Sequence, residues 1–250
     1  MTKPLRLGIA GLGTVGVGVI KIIQNKLSLL EVRTGKQILI SAVTAKSKTK
    51  DRGVDLSSYE WENDPVSLAN REDIDVFIEL IGGHEGAAKD AVEAAISKGK
   101  NVITANKALL AHHGHKLALK AEENGSILRF EAAVAGGIPV IKTIKNNIAL
   151  NRINKISGIL NGTTNYILTK MEEDNLSFDN VLDIAKDKGF TSDNEAELDI
   201  GGLDSAHKLT ILSSLCFGAK IDFENNYITG ISEIKYEDIK NAKNLGYKIK

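Results

Sequence analysis

Several short stretches of this 250-residue chain hold side chains able to do chemistry. Gly11-Leu12-Gly13-Thr14-Val15-Gly16 has the spacing G-x-G-x-x-G, directly after the apolar run Leu5–Ala10 and at the opening of a helical pattern. There the first glycine makes a tight turn, the second lets the backbone approach a pyrophosphate, and the third lets helix pack on strand. The helix N-terminus then faces the negative charge. Without the flanking strand and helix the motif is weak; with them it is strong. Gly11, Leu12, Gly13, Thr14, Val15 and Gly16 are therefore predicted to cradle a dinucleotide.

Further along, Lys107 stands just past the carboxyl end of a predicted strand, where ligands of open α/β sheets bind. Asn161-Gly162-Thr163-Thr164-Asn165-Tyr166 gathers amides and hydroxyls into a strand-to-helix turn. Asp204 and Lys208 follow at i, i+4, and Lys208 shares a helical face with Ile211, Leu212 and Leu215. An unpaired lysine on an apolar face is costly, so its charge is expected in a pocket. The competing reading makes Asp204 and Lys208 an exposed helix pair contributing about 0.3–0.5 kcal/mol. Lys107 can equally just begin a helix, although basic residues are unusual in a first turn. Asn161 and Thr163 also suit helix caps.

The elements that position these groups alternate in the first half. Strands are predicted at 5–10, 38–44, 76–80, 102–104 and 127–131, and helices at 15–30, 87–98 and 115–123, which implies a doubly wound parallel sheet. After Gly136-Gly137-Ile138-Pro139 the rhythm changes to a helix, a strand over 153–160, and then mostly helices. Phe178, Val181, Leu182 and Ala185 fall at i, i+3, i+4, i+7 behind Ser177 as N-cap. A helix over 236–244 closes at Gly246, and 247–250 alternates like the start of a strand. The domain change is placed near 135–150.

Thirty-two basic and 32 acidic residues balance, without long runs of one sign, which argues against nucleic acid or a membrane surface and for a small-molecule substrate. Glycines at 8, 11, 13, 16 and 18 break the only stretch resembling a signal peptide, and no apolar run reaches the roughly 20 residues of a membrane helix. The single cysteine, Cys216 between Leu215 and Phe217, reads as a buried thiol in a reducing compartment, with a cytoplasmic location expected. His112, His113 and His115 lack spaced partners and read as a solvated helix start rather than a metal cluster.

Taken with residues 131–139, reading EAAVAGGIP, the segments 102–110, 159–168 and 199–208 closely resemble homoserine dehydrogenase. The resemblance runs from Leu5 to Lys250. It implies a Rossmann-type NAD(P)-binding domain over 1–135, then an α+β substrate and dimerisation domain over 136–250 that lacks its C-terminal end. It also implies an oxidoreductase of threonine, methionine and isoleucine biosynthesis that reversibly reduces L-aspartate 4-semialdehyde to L-homoserine, as a homodimer. By the same resemblance Lys208 gives or takes the proton and Lys107 lies between cofactor and substrate. Asp199 and Asp204 hold the substrate ammonium or orient the lysine, Gly162 and Thr163 contact substrate, and Gly189 lies near the cofactor. Glu131, Val134, Gly136 and Ile138 match positions that bind a monovalent cation, such as sodium, in some members.

Three departures matter. The second strand ends Thr44-Ala45-Lys46-Ser47-Lys48, with no carboxylate for the ribose of NAD before Asp51. Either Lys46 and Lys48 meet the 2′-phosphate of NADP or they are solvated lysines and NAD serves. The family's Gly-Tyr-x-Glu, followed by proline, is replaced by Gly189-Phe190-Thr191-Ser192-Asp193-Asn194-Glu195, which leaves Asp193 and Glu195 as rival carboxylates for the substrate amine. Family members also continue past the position of Lys250, so the isolated chain is expected to be poorly stable or to aggregate. Two other functions compete: another dehydrogenase of an amino-acid-derived substrate, and a catalytically silent nucleotide-binding fragment. A phosphorylating semialdehyde dehydrogenase is disfavoured because Cys216 has no nearby base in sequence.

Overall fold

Alternation builds the first strand. In β1 (Leu5–Ala10) Leu7 and Ile9 enter the core on one side while Ala10 enters the core on the other. Around it lie β2 (Ile38–Thr44), β3 (Glu60–Trp61), β4 (Val76–Glu79), β5 (Asn101–Thr104) and β6 (Leu128–Arg129), paired in parallel in the order β3-β2-β1-β4-β5-β6. Leu7 of β1 stands opposite Ile40 on one side and Val76 on the other. The winding reverses between β1 and β4, and the crevice beyond the carboxyl ends of those strands is where such sheets bind ligands. The computed structural model describes residues 3–148 and 150–250, with the backbone alone at 194 and 195.

Helices cover both faces of this sheet. α1 (Thr14–Thr34) packs Ile20 against Ile9, Val43 and Ile78, and stops at Gly35, whose left-handed φ of 66° lets its N–H bond Glu31 O at 2.8 Å. The opposite face carries α2 (Pro65–Asn70), α3 (Ala87–Ser97) and α4 (Lys107–Glu123), with Leu68, Ile96 and Leu109 around Phe77. Phe77 is wholly buried, and such burial contributes about 1.5–3 kcal/mol. A three-residue turn, α5 (Val140–Lys142), continues into a π-helical turn over Thr143–Asn147.

The chain divides after residue 148 into two compact units. The second contains α6 (Gly162–Asp174), α7 (Phe178–Asp187), α8 (Asp193–Ile200), α9 (Leu203–Phe217) and α10 (Tyr236–Asn244). Its core joins Ile167, Leu168 and Met171 of α6, Val181 and Ala185 of α7, and Ile239 of α10. Ser177 caps α7 by accepting from Asn180 N, as its spacing predicts.

Several expectations need correction. Residues 153–160 and 247–250 form no strand, because no second strand among the described residues of this unit lies beside them to complete a ladder. The helix expected from His115 starts at Lys107, since Asn106 caps it and the buried Gly114 is carried in its interior. The histidines are thus within α4: His112 stacks on His84 with centroids 4.3 Å apart, and His113 Nε2 lies 2.7 Å from Glu85 Oε1. Among the described residues no group of these side chains is arranged to hold a metal. Cys216 is half-buried rather than buried, and what burial it has pushes its thiol pKa up. Among the described residues no helix is long and apolar enough to cross a membrane.

Candidate active site

The glycine turn is forced by its neighbours. Gly11 has a φ of +96°, and a Cβ there would stand 2.3 Å from Leu80 O; a Cβ on Gly16 would meet Gly11 O at 1.9 Å. Gly13 differs, since nothing lies within 4 Å of its Cβ position. It is the N-cap of α1 and offers no side-chain bond to the first-turn amides, and no acidic residue stands in that turn. Open space at Gly13 and helix N–H groups without a side-chain cap fit an incoming pyrophosphate.

Beside this turn is a cavity of about 520 Å³ lined by Leu12, Gly13, Thr14, Val17, Gly18, Lys21, Lys50, Asp51 and Arg52. The Arg52 guanidinium builds its wall, donating to Leu12 O at 3.2 Å, Lys50 O at 2.8 Å and Ser47 O at 2.5 Å while lying 5.7 Å from the Trp61 ring centroid. Lys21 and Lys50 bring positive charge to the lining, whereas Lys46 and Lys48 are exposed outside it. Sequence reasoning missed this trio, because Lys21 lies a full helix turn and more beyond the motif and Arg52 is eight residues past the end of β2.

Lys107 is the half-buried first residue of α4, at the carboxyl end of β5. Asn106 sets its position: Oδ1 accepts from Leu109 N at 3.0 Å and Nδ2 donates to Gly83 O at 2.6 Å. Nearby, both Glu131 carboxylate oxygens cap α5, accepting from Ile141 N at 2.8 Å and Lys142 N at 3.0 Å. Val134 is buried, and Gly136 and Ile138 complete the turn that leads into α5.

In the second unit, one polar cluster gathers residues from four places in the chain. Asn161 caps α6 through Oδ1, which accepts from Thr164 N at 2.8 Å, while Nδ2 donates to Asp199 Oδ1 at 2.7 Å and to Asp204 Oδ2 at 3.0 Å. Lys208 Nζ donates to the same Asp204 oxygen at 2.6 Å and to Leu160 O at 2.8 Å. Thr191 Oγ1 donates to Asp199 Oδ2 at 3.0 Å. Asn161, Thr191 and Asp204 are each at most 8% exposed. The ammonium is thus held by two acceptors and keeps one proton for a further partner. Among the described residues two carboxylates, Asp199 and Asp204, lie in one cluster with one ammonium.

The structure brings Asp199, Asp204 and Lys208 together; the Thr163 hydroxyl instead donates to Phe190 O at 3.0 Å, and Gly162 begins α6. Phe190, in the place of a tyrosine, stacks on Tyr166 with centroids 4.3 Å apart. Asp193 is not in the cluster: it is exposed and pairs with Lys186 at 2.8 Å, which pulls its carboxyl below the usual range. The Glu195 side chain lies outside the described residues. Gly189 ends α7 with a φ of +74°. Asn161, read from the sequence as a polar residue of this turn that also suits a helix cap, does both, whereas Thr191 is the member to which sequence reasoning gave no role, and nothing in the sequence marks it.

Comparison with known proteins matches both units. Residues 11–131 fit the family described as homoserine dehydrogenase, NAD binding domain, and 139–250 the family homoserine dehydrogenase. A homoserine dehydrogenase of Neisseria gonorrhoeae is 44% identical over 248 residues, covering 99% of this chain and 56% of that protein. The crystal structure of a homoserine dehydrogenase from Thiobacillus denitrificans superposes with a TM-score of 0.93 at 39% identity, over 99% of this chain and 57% of that one. A putative homoserine dehydrogenase from Archaeoglobus fulgidus gives 0.85 at 30% identity, over 98% of this chain and 78% of that one. The chain spans little more than half the length of the curated relatives it matches. With a dinucleotide turn in one unit, a lysine–carboxylate cluster in the other, and relatives aligned across both, the chain belongs to the homoserine dehydrogenase family.

Proposed function

We propose that the protein to which this chain belongs interconverts L-aspartate 4-semialdehyde and L-homoserine with a nicotinamide cofactor. The observation that carries the proposal is Lys208, whose ammonium is aimed by Asp204 Oδ2 and Leu160 O inside a mostly buried polar cluster. A bound reduced nicotinamide supplies the hydride that the aldehyde carbon accepts. Lys208 Nζ holds the proton that the carbonyl oxygen takes, and its charge stabilises the alkoxide as it develops. Asp204 orients that ammonium, Asp199 is tied to Asp204 through the Asn161 amide, both offer negative charge to the substrate amine, and on the family resemblance Gly162 and Thr163 line the substrate. Lys107 stands at the cofactor end of its sheet, with Gly189 assigned near the cofactor on family resemblance alone. Asp193 is the weaker of the two carboxylates considered for the amine, since Lys186 already occupies it.

NADP(H) is the cofactor we assign, because Lys21, Lys50 and Arg52 outnumber the one carboxylate, Asp51, in the lining of the cavity beside the glycine turn, and β2 itself ends without a carboxylate. Lys46 and Lys48 lie outside that lining and are replaced in the role. At the turn of Glu131, Val134, Gly136 and Ile138, main-chain carbonyls are the donors a monovalent cation takes. The Glu131 carboxylate is spent on the α5 amides, so main-chain oxygens would hold the ion. A homodimer in the cytoplasm completes the proposal, resting on the family and on the lone cysteine.

The test follows NADPH absorbance with aspartate semialdehyde for the chain and for Lys208→Ala. Turnover that the substitution abolishes supports the proposal. Cofactor binding without turnover makes the chain a silent nucleotide-binding fragment, and turnover surviving Lys208→Ala refutes the proton assignment.

A further inference from the structure

Glu79 ends β4 wholly buried, and the proposed chemistry makes no use of it. Its carboxylate accepts three neutral donors: Ile81 N at 2.7 Å and Gly82 N at 3.1 Å on Oε1, and Thr104 Oγ1 at 2.5 Å on Oε2. The Thr104 hydroxyl in turn accepts from Asn106 N at 2.9 Å, and Asn106 Nδ2 returns to Gly83 O at 2.6 Å. The bonds close a ring that joins the loop after β4 to the turn before α4.

Each arc of that ring touches the nucleotide end of the sheet. Leu80 N bonds Ala10 O at 2.7 Å, and Leu80 O is the atom that forbids a side chain on Gly11. Asn106 caps α4, whose first residue is Lys107. Gly82 and Gly83 have φ values of +86° and +81°, so the loop has little conformational restraint of its own. Two N–H groups share one oxygen of the Glu79 carboxylate and need an acceptor there, and the Thr104 hydroxyl completes the ring on the other oxygen. Burying that charge is unfavourable, and three charge-assisted bonds offset the cost.

We infer that Glu79 is a positioning residue that, through Thr104 and Asn106, fixes the loop over the glycine turn and the origin of Lys107 as one piece. The inference deepens the proposed dehydrogenase reading and rests on it for its kinetic arm. Glu79→Met keeps the length of the side chain and removes both acceptor oxygens, so all three bonds to Glu79 are lost. Thr104→Val keeps the shape and removes the hydroxyl, whereas Thr104→Ser keeps the hydroxyl.

The test compares these three variants for NADPH affinity by fluorescence titration and for kcat and KM with aspartate semialdehyde. Glu79→Met and Thr104→Val are expected to weaken NADPH binding about fivefold or more and to lower kcat about 10- to 100-fold, with the semialdehyde KM within about twofold of the parent. Thr104→Ser is expected to restore both. Parental affinity and kcat in a folded Thr104→Val, or failure of Thr104→Ser to rescue, overturns the inference. Should Glu79→Met not fold, the two Thr104 variants decide alone. If the parent chain shows no turnover, the activity proposal fails separately and NADPH affinity decides here: weakened binding in Thr104→Val with rescue by Thr104→Ser supports the ring, and unchanged binding overturns it.

Discussion

Asn161 and Lys208 meet on a single oxygen, Asp204 Oδ2, the amide at 3.0 Å and the ammonium at 2.6 Å. Because the same amide also reaches Asp199, one side chain sets the spacing of both carboxylates around the lysine while its Oδ1 caps α6. The cap and the bridge use different atoms, so they are separable.

Asn161→Ser keeps an oxygen for the cap and loses the amide that spans the carboxylates. We expect its stability to fall by about 1–3 kcal/mol, because the cap is kept while Asp199 and Asp204 each lose a donor in a mostly buried cluster. Its kcat is expected to fall about 10- to 100-fold, as for a displaced catalytic group. Asn161→Asp retains the cap but places a third carboxylate against two, and is expected to lose more stability than the serine variant. Thermal melts beside NADPH-coupled rates check both; a serine variant with parental kcat would show that the bridge has no catalytic role.

Glycines of the nucleotide turn are expected to respond unequally. Gly16→Ala drives a methyl group to 1.9 Å from the backbone oxygen of Gly11 and should lower the melting temperature together with cofactor binding. Gly13→Ala meets nothing in the chain and should melt like the parent while losing NADPH affinity, because the methyl group occupies the pyrophosphate's approach. Parental NADPH affinity in Gly13→Ala would remove the phosphate from this turn.

These glycines also mark how far the amino-acid sequence reaches. Local rules place them: a strand of period two, a turn needing positive φ at Gly11, and a helix started without a side-chain cap. β1, β2 and α10 are legible to the residue, and α7 at its start, for the same reason, being set by periodicity and caps. Residues 153–160 mislead because a strand is a pairing, and alternation alone does not supply a partner. Lys107 and Lys208 are legible as odd charges in apolar settings, but the Asn161 bridge spans 38 and 43 residues and Thr191 reaches Asp199 across the α8 turn, contacts that only the fold creates. Arg52 escapes notice because its role is to hold three carbonyls of its own surroundings.

Cofactor choice gives a charge test. If Lys21 and Lys50 face a 2′-phosphate, Lys50→Ala should raise the Kd for NADPH about tenfold and leave that for NADH within about twofold, the loss of one charge-assisted contact being worth about 1.5 kcal/mol. The difference should shrink as salt is added. Equal effects on both nucleotides would place the lysine elsewhere than at the phosphate.

Acid should loosen the first unit at Asp75, which ties the chain's beginning to the turn before β4. Its Oδ1 lies 2.9 Å from Lys3 Nζ and its Oδ2 accepts from Arg6 N at 2.9 Å. Partial burial is the largest single influence on this carboxyl and raises its pKa, yet the bonds from Lys3 and Arg6 together with their charges outweigh it and leave the value lowered. A lowered folded pKa means that the unfolded chain binds the proton more readily. The contribution is therefore complete above the unfolded value, near pH 4, and disappears as the pH falls through the folded one. Asp75→Asn keeps an oxygen for Arg6 N and drops the charge. Its melting temperature should lie below the parent's at pH 7, and the gap should close on titration below about pH 4. Lys3 is largely exposed, which keeps the gap small and makes it shrink in high salt. A gap of constant size from pH 7 to pH 2.5 would mean that shape rather than charge makes Asp75 matter.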